Sequence, residues 1–154
     1  MAKEIMLTRG AVAIVDDADY DSIIQHKWYL QSAGYAAHGI KKEGRWTVEL
    51  MHRFILGEAC AGFDVDHINM DRLDNRRCNL RVATRSQNMA NTHAIVGDYK
   101  GVSYDHRKRK YEAKIYVKGQ KLWLGYYKSA EEAAKAYNNA AINHFGEYAR
   151  INKV

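Results

Sequence analysis

The chain has 154 residues, 47% hydrophobic and 27% charged, which suits one globular domain or two small ones. It has no run of eighteen apolar residues and no signal-peptide pattern at Met1-Ala2-Lys3-Glu4-Ile5, so a transmembrane helix is not expected and a cytoplasmic protein without a membrane partner is. The net charge of +6 is uneven: residues 1–94 carry twelve Lys/Arg against twelve Asp/Glu, and residues 95–154 carry twelve against six. That asymmetry reads as a polyanion-binding module joined to a neutral one, the alternative being a basic surface with no partner.

Residues 1–50 read as short strands around one helix. Ile5-Met6-Leu7 and Val12-Ala13-Ile14-Val15 flank Gly10 as a hairpin. Acids from Asp16 to Asp21 introduce a short helix at Tyr20–Ile24. Trp28–Leu30, Tyr35–Ala37 and Trp46–Leu50 read as strands. Residues 51–93 are dense in His, Asn, Asp and Arg and bury little, so a bound metal is one reason for them to be ordered. Cys60 and Cys78 have no CxxC partner, which leaves two free thiols and no structural zinc. Residues 94–98 read as a hinge.

Beyond the hinge lie three strands, Tyr99–Tyr104, Lys110–Val117 and Lys121–Tyr127, with turns at Asp105–Arg109 and Lys118–Gln120. The middle strand alternates, Tyr111, Ala113, Ile115 and Val117 on one face and Glu112, Lys114 and Tyr116 on the other. Ser129 and Glu132 form a capping box for a helix with an alanine-rich face (Ala130, Ala133, Ala134, Tyr137, Ala140, Ala141), ended by Gly146. That helix covers one sheet face and leaves open a face of lysines and aromatic rings. Val102, Ala113, Ile115, Leu122 and Leu124 are expected in the core, and Lys118, Lys128 and Lys135 on a solvated surface.

The chemistry concentrates in Val65-Asp66-His67-Ile68-Asn69, Asp74–Arg81 and Thr84–Asn88, the last opening a helix through a Thr84/Gln87 capping box. Phosphodiester hydrolysis needs a base for water, a divalent ion to offset developing charge, and a group that orients the base. Imidazole titrates near neutrality, and carboxylate and amide oxygens suit Mg²⁺ or Mn²⁺. Asp66, His67, Asn79, Arg85 and Asn88 offer these groups.

The run M-H-R at 51–53, V-D-H-I-N at 65–69, D-N-R-R-x-N-L-R at 74–81 and T-x-x-Q-N at 84–88 resembles the HNH endonuclease motif in its ββα-metal fold, in the H–N–N variant of phage homing endonucleases. The resemblance implies that His67 is the general base and that Asp66 and Asn88 hold one divalent cation. It further implies that Asn79 braces the loop carrying the base and that Arg85 contacts the scissile phosphate. Asn91 competes with Asn88 as second ligand, Asn75 is read as a turn cap, and the role of His52 stays open. The segment L-T-R-G-x-V-A-I-V-D-D also resembles the leader of phage HNH proteins. The family's paired CxxC zinc sites are missing here, so stability is expected from the leader and from hydrogen bonds within the loop.

The C-terminal pattern Y-K-G-V-S-Y at 99–104, W-L-G-Y-Y at 123–127, A-E-E-A-A-K-A-Y-N-N-A-A at 130–141 and F-G-E-Y-A-R-I-N at 145–152 resembles the Apetala-two (ethylene-response-factor) DNA-binding domain, also found in phage and bacterial HNH endonucleases. That family lays three antiparallel strands into the major groove. The DNA-facing residues it implies here are Ser103, Tyr104, His106, Arg107, Arg109, Lys114, Tyr116, Lys121 and Trp123. Where the plant domains carry several arginines, this chain has Tyr104-Asp105-His106, so the plant target sequence does not transfer.

The expectation is an α+β protein: a nuclease domain over 1–93 with its motif core at 51–93, a hinge at 94–98, and a DNA-binding domain over 99–154. It would cleave duplex DNA, nicking it as a monomer or cutting both strands as a homodimer, in the cytoplasm of a phage-infected bacterial cell. The alternatives are a non-catalytic DNA-binding regulator and a structural zinc module.

Overall fold

The computed structural model describes residues 1–94 and 97–154. It is mixed α and β with antiparallel sheets, and it divides into two compact units, Met1–Ala83 and Thr84–Val154. Residues 95 and 96, inside the hinge expected over 94–98, lie outside the described residues. Among the described residues no helix is long and apolar enough to cross a membrane.

In the first unit, β1 (Ala2–Met6) and β2 (Val12–Asp16) pair as the expected hairpin, Ala2 opposite Asp16 and Met6 opposite Val12. Helix α1 (Asp17–Ile23) begins three residues earlier than expected, with Asp17 and Asp19 at its positive end. Trp28 is buried and donates its indole N–H to Ile23 O at 2.8 Å, which closes the end of α1 against the core. Strands β3 (Tyr29–Leu30), β4 (Ala36–Lys42) and β5 (Arg45–Leu50) form one antiparallel sheet in that order. β4 runs five residues past its expected end.

Helix α2 (Met51–Leu56), not foreseen from the sequence, buries Met51, His52 and Ile55. β6 (Asp64–His67) then pairs antiparallel with β7 (Leu80–Ala83), Asp66 opposite Arg81 and His67 opposite Leu80. The core gathers Val15, Ile23, Trp28, Met51, Ile55 and Leu80.

The N-terminal leader pins the loop between β6 and β7. Ile14 donates its N–H to Leu73 O at 2.8 Å, and Asn75 donates its N–H to Ile14 O at 2.7 Å, a parallel bridge between Ile14 and Asp74. Arg77 donates its backbone N–H to Asp16 at 2.8 Å, forks its guanidinium onto Asp19 at 2.9 and 2.8 Å, and reaches Ile55 O at 2.9 Å. Charge-assisted bonds of this kind tie the loop to the leader.

In the second unit, α3 (Arg85–Ala90) carries both arms of the expected capping box: Thr84 Oγ1 accepts from Gln87 N–H at 3.3 Å, and Gln87 Oε1 accepts from Thr84 N–H at 2.8 Å. Ala90 packs with Ile115, Tyr137, Ala141 and Phe145, and Lys100 Nζ donates to the carbonyls of Met89 and Ala90. Thus α3 belongs by its contacts to this unit. Strands β8 (Val102–Asp105), β9 (Lys110–Val117) and β10 (Gln120–Tyr127) form an antiparallel sheet with β9 in the centre.

Helix α4 (Ala130–Phe145) buries Ala133, Ala134, Tyr137, Ala141 and Phe145. Only half of its expected capping box forms: Ser129 Oγ accepts from Glu132 N–H at 3.1 Å, but the Glu132 carboxylate accepts from Lys128 N–H at 3.2 Å instead of from Ser129.

Gly101 (φ +75°) sits where α4 meets the sheet, and a Cβ there would lie 2.1 Å from a Tyr137 ring carbon and 2.5 Å from Lys114 O. Gly119 shares the left-handed backbone (φ +80°) with nothing within 4 Å of such a Cβ. Gly101→Ala is therefore expected to destabilise the protein by about 3 kcal/mol or more, overpacking adding to backbone strain. Gly119→Ala should cost about 1 kcal/mol. Urea denaturation midpoints of the two variants check the contrast.

Candidate nuclease site and basic sheet

β6 delivers two adjacent functional side chains, and both are buried: Asp66 is 4% exposed and His67 5%. Asp66 Oδ2 accepts from Arg81 Nε at 2.8 Å and Nη2 at 2.7 Å, across the β6–β7 ladder. His67 lies among aromatic rings. The His52 ring stands nearly perpendicular to it at 5.0 Å between centroids, and Tyr35 lies at 5.9 Å.

Asn75, read from sequence as a turn cap, touches the candidate base. It is fully buried, and its Oδ1 lies 3.3 Å from His67 Nε2. Asn75 Nδ2 donates to Leu73 O at 3.1 Å, a carbonyl that can only accept, so the oxygen end of the amide faces the imidazole. An oxygen acceptor puts the hydrogen on Nε2, and the neutral ring then carries its lone pair on Nδ1. The sequence showed an Asn in this loop but not that the leader strand, bonded to Asn75 N–H through Ile14 O, would aim it at His67.

Asn79 is buried and crosses the loop. Its Oδ1 accepts from Asn69 N–H at 3.0 Å, and its Nδ2 donates to Asn69 Oδ1 at 3.0 Å and to Asp74 O at 2.7 Å. Asp74 takes the Arg76 fork at 2.8 and 2.7 Å and accepts from Asn69 Nδ2 at 2.9 Å. The Arg76 fork holds the Asp74 carboxyl below its ordinary pKa. His67 is therefore the product of a closed polar network and not of an isolated strand end.

Burial depresses the pKa of His67 below its ordinary 6.5, opposed in part by the Asn75 hydrogen bond and by Asp66, Asp71 and Asp74. Burial, then the neighbouring His67 and Arg53, pushes His52 down to about 3. Both rings are thus neutral at pH 7, which leaves His67 able to accept a proton. Arg85, Asn88 and Asn91 lie in the second unit: Arg85 is exposed on α3, Asn88 is half-buried on α3, and Asn91 is buried just past its end. Asp66, His67 and Asn79 lie in the first.

The open face of the second unit follows from its register. Ser103 pairs with Glu112, Lys114 with Trp123 and Tyr116 with Lys121, so these six share one face. Tyr116 is 60% and Trp123 57% exposed. Tyr104 pairs with Tyr111 and stands on the opposite face from Ser103, although the two were read as DNA-facing together. Strand alternation forces that separation. His106, Arg107 and Arg109 are exposed in the β8–β9 turn, which Asp105 holds by accepting from the N–H groups of Arg107 at 2.9 Å and Lys108 at 3.1 Å. Glu112 stands amid the bases, 3.2 Å from Lys114 Nζ and 3.7 Å from Lys121 Nζ.

The family model for HNH endonucleases matches residues 51–90. An uncharacterised HNH endonuclease of Acanthamoeba polyphaga mimivirus is 31% identical over 152 residues, covering 95% of this chain and 77% of that protein. An ethylene-responsive transcription factor of Arabidopsis thaliana is 35% identical over 96 residues, 57% of this chain and 58% of that protein.

The depressed His52 pKa has a stability consequence. Below pH 6.5 the unfolded chain protonates this ring while the folded chain does not, so its contribution to stability is complete above pH 6.5 and declines toward pH 3. The unfolding free energy from urea denaturation is expected to fall between pH 6.5 and 4, by up to about 1.4 kcal/mol per pH unit for one such group. His52→Phe should flatten that slope.

Proposed function

The chain belongs to the HNH endonuclease family and is a nuclease; on that premise we propose that it hydrolyses phosphodiester bonds of duplex DNA in a divalent-metal-dependent reaction with His67 as general base. The observation that carries this reading is the neutral, buried imidazole of His67, held in one tautomer by Asn75 and set next to the Asp66 carboxylate.

His67 accepts a proton from water at Nδ1 while the water oxygen forms a bond to phosphorus and the P–O3′ bond breaks, leaving a 5′-phosphate and a 3′-oxygen that takes its proton from a second, solvent water, while the imidazolium returns its proton to solvent. Burial keeps the ring neutral beforehand, and the nearby carboxylates of Asp66, Asp71 and Asp74 stabilise the imidazolium that results. Asn79 keeps the loop from relaxing away from the strand. Arg85 meets the phosphate. Asp66 and Asn88 offer hard oxygen donors of the kind magnesium or manganese takes. A divalent cation, when bound, neutralises charge on the phosphate and on the leaving oxygen.

The second unit supplies the duplex grip. Lys114, Lys121, Arg107 and Arg109 meet phosphates, and Ser103, Tyr116, Trp123 and His106 reach sugars or base edges. Tethering raises the local concentration of cleavage site on DNA and supplies site preference. A second reading, a DNA-binding regulator without cleavage, draws on the similarity to the plant transcription factor.

Plasmid nicking with Mg²⁺ or Mn²⁺, and its loss in EDTA, separates the two readings. His67→Ala is expected to lower nicking at least about 100-fold while duplex affinity stays within twofold; unimpaired nicking by that variant removes His67 as the base. Arg107→Ala and Lys121→Ala should each reduce the slope of log Kd against log salt by about one. Unchanged slopes would overturn the proposed face.

A further inference from the structure

The β4–β5 hairpin leaves the first unit with an unusual surface. Its feet are buried, with Ala36, Ala37 and His38 inside and Met51 following β5 into the core. From Lys41 to Val48 every residue is exposed. This tip carries Lys41, Lys42 and Arg45 against the single acid Glu43.

Most other basic side chains of the unit are engaged: Lys3 with Asp17, Arg76 with Asp74, Arg77 with Asp19, Arg81 with Asp66, and Arg53 and Arg72 with carbonyl oxygens. Among the described residues, Lys41, Lys42 and Arg45 have no acidic partner. Next to Arg45 in the chain stands Trp46, 76% exposed. Register puts Trp46 opposite Lys41, and its indole leans over Gly39, where a Cβ would lie 3.7 Å from the ring. Lys41 shares the face of Trp46, and Lys42 and Arg45 pair on the other face of the ribbon; a large aromatic ring left in water on a ribbon with cations on both faces has the chemistry of a polyanion contact with a flat apolar component.

The hairpin also stands on the candidate base. Tyr35, immediately before β4, and His52, immediately after the first residue of α2, both pack their rings against His67. At about 3.3 Å per residue, β4 carries the tip about 20 Å from that foot.

We propose that this hairpin is a second DNA-contacting element, a two-stranded ribbon that enters a groove of the substrate duplex beside the cleavage point. Lys41, Lys42 and Arg45 meet phosphates, and Trp46 lies on sugar and base edges. The major groove admits such a ribbon, and the reach corresponds to about six base pairs from the bond that is cut. The inference rests on the reading of His67 as the nuclease base.

The test uses the full chain, wild type beside Lys41→Gln/Lys42→Gln/Arg45→Gln and beside Trp46→Ala, with circular dichroism to establish that each is folded. The triple variant is expected to reduce the salt slope of duplex binding by about three and to lose footprint protection on the flank of the nicked bond. Trp46→Ala should weaken binding about five- to tenfold at an unchanged slope. If wild type nicks DNA and both variants match it in affinity, slope and footprint, the hairpin contact is refuted while the nuclease reading stands. If wild type neither binds nor nicks duplex DNA, both fall. Loss of sedimentation with anionic phospholipid vesicles, with DNA binding intact, would assign the tip to a membrane surface and overturn the proposal.

Discussion

The candidate base depends on how residues 68–79 hold their shape. This loop has little to bury: Ile68 is exposed and Leu73 is only packed against the edge of the core. Its order comes from one buried amide, Asn79, which ties Asn69 and Asp74 together from both ends. A hydrogen bond of this kind nets about 1 kcal/mol, but a buried donor or acceptor left without its partner costs about 1–3 kcal/mol. The network is therefore closed or it fails, and removing one member exposes the rest to that penalty. Arg76 on Asp74 and Arg77 on Asp19 extend the same logic to charge, each carboxylate meeting a planar fork.

Periodicity and turn chemistry exposed much of this fold. The three-stranded sheet under an alanine-faced helix, the N-terminal hairpin and the Thr84/Gln87 cap all follow from local pattern. Helix α2 escaped because six residues give less than two turns of apolar spacing. The outer half of β4 escaped because Lys41 and Lys42 have no buried face to alternate against. The role of Asn75 was illegible for a different reason. Its partner His67 is eight residues away and its anchor Ile14 sixty-one, and no local pattern encodes where a distant strand will bond. Tyr104 was misjudged by reading a motif as a surface, although alternation within β8 separates it from Ser103.

The sheet of the second unit shows how a basic surface is moderated. Glu112 lies within the cationic face and draws on Lys114 and Lys121. Half-exposed pairs of this type contribute little to stability. They do fix where the ammonium groups rest, which keeps the long side chains ordered beside Tyr116 and Trp123. The cations at the β8–β9 turn are set differently, by a backbone that folds around Asp105. The two sets reach solvent from different kinds of support, one side chain to side chain and one through the turn itself.

The parallel bridge between Ile14 and Asp74 has a kinetic meaning. It closes a segment of about sixty residues, and closing a long segment is an entropic barrier that contacts must repay only after they form. A chain emerging from the ribosome can pair β1 with β2 early, but the imidazole has no oriented partner until the far side of that closure arrives. A chain that has not yet emerged past Asn75 therefore holds His67 without the amide that orients it.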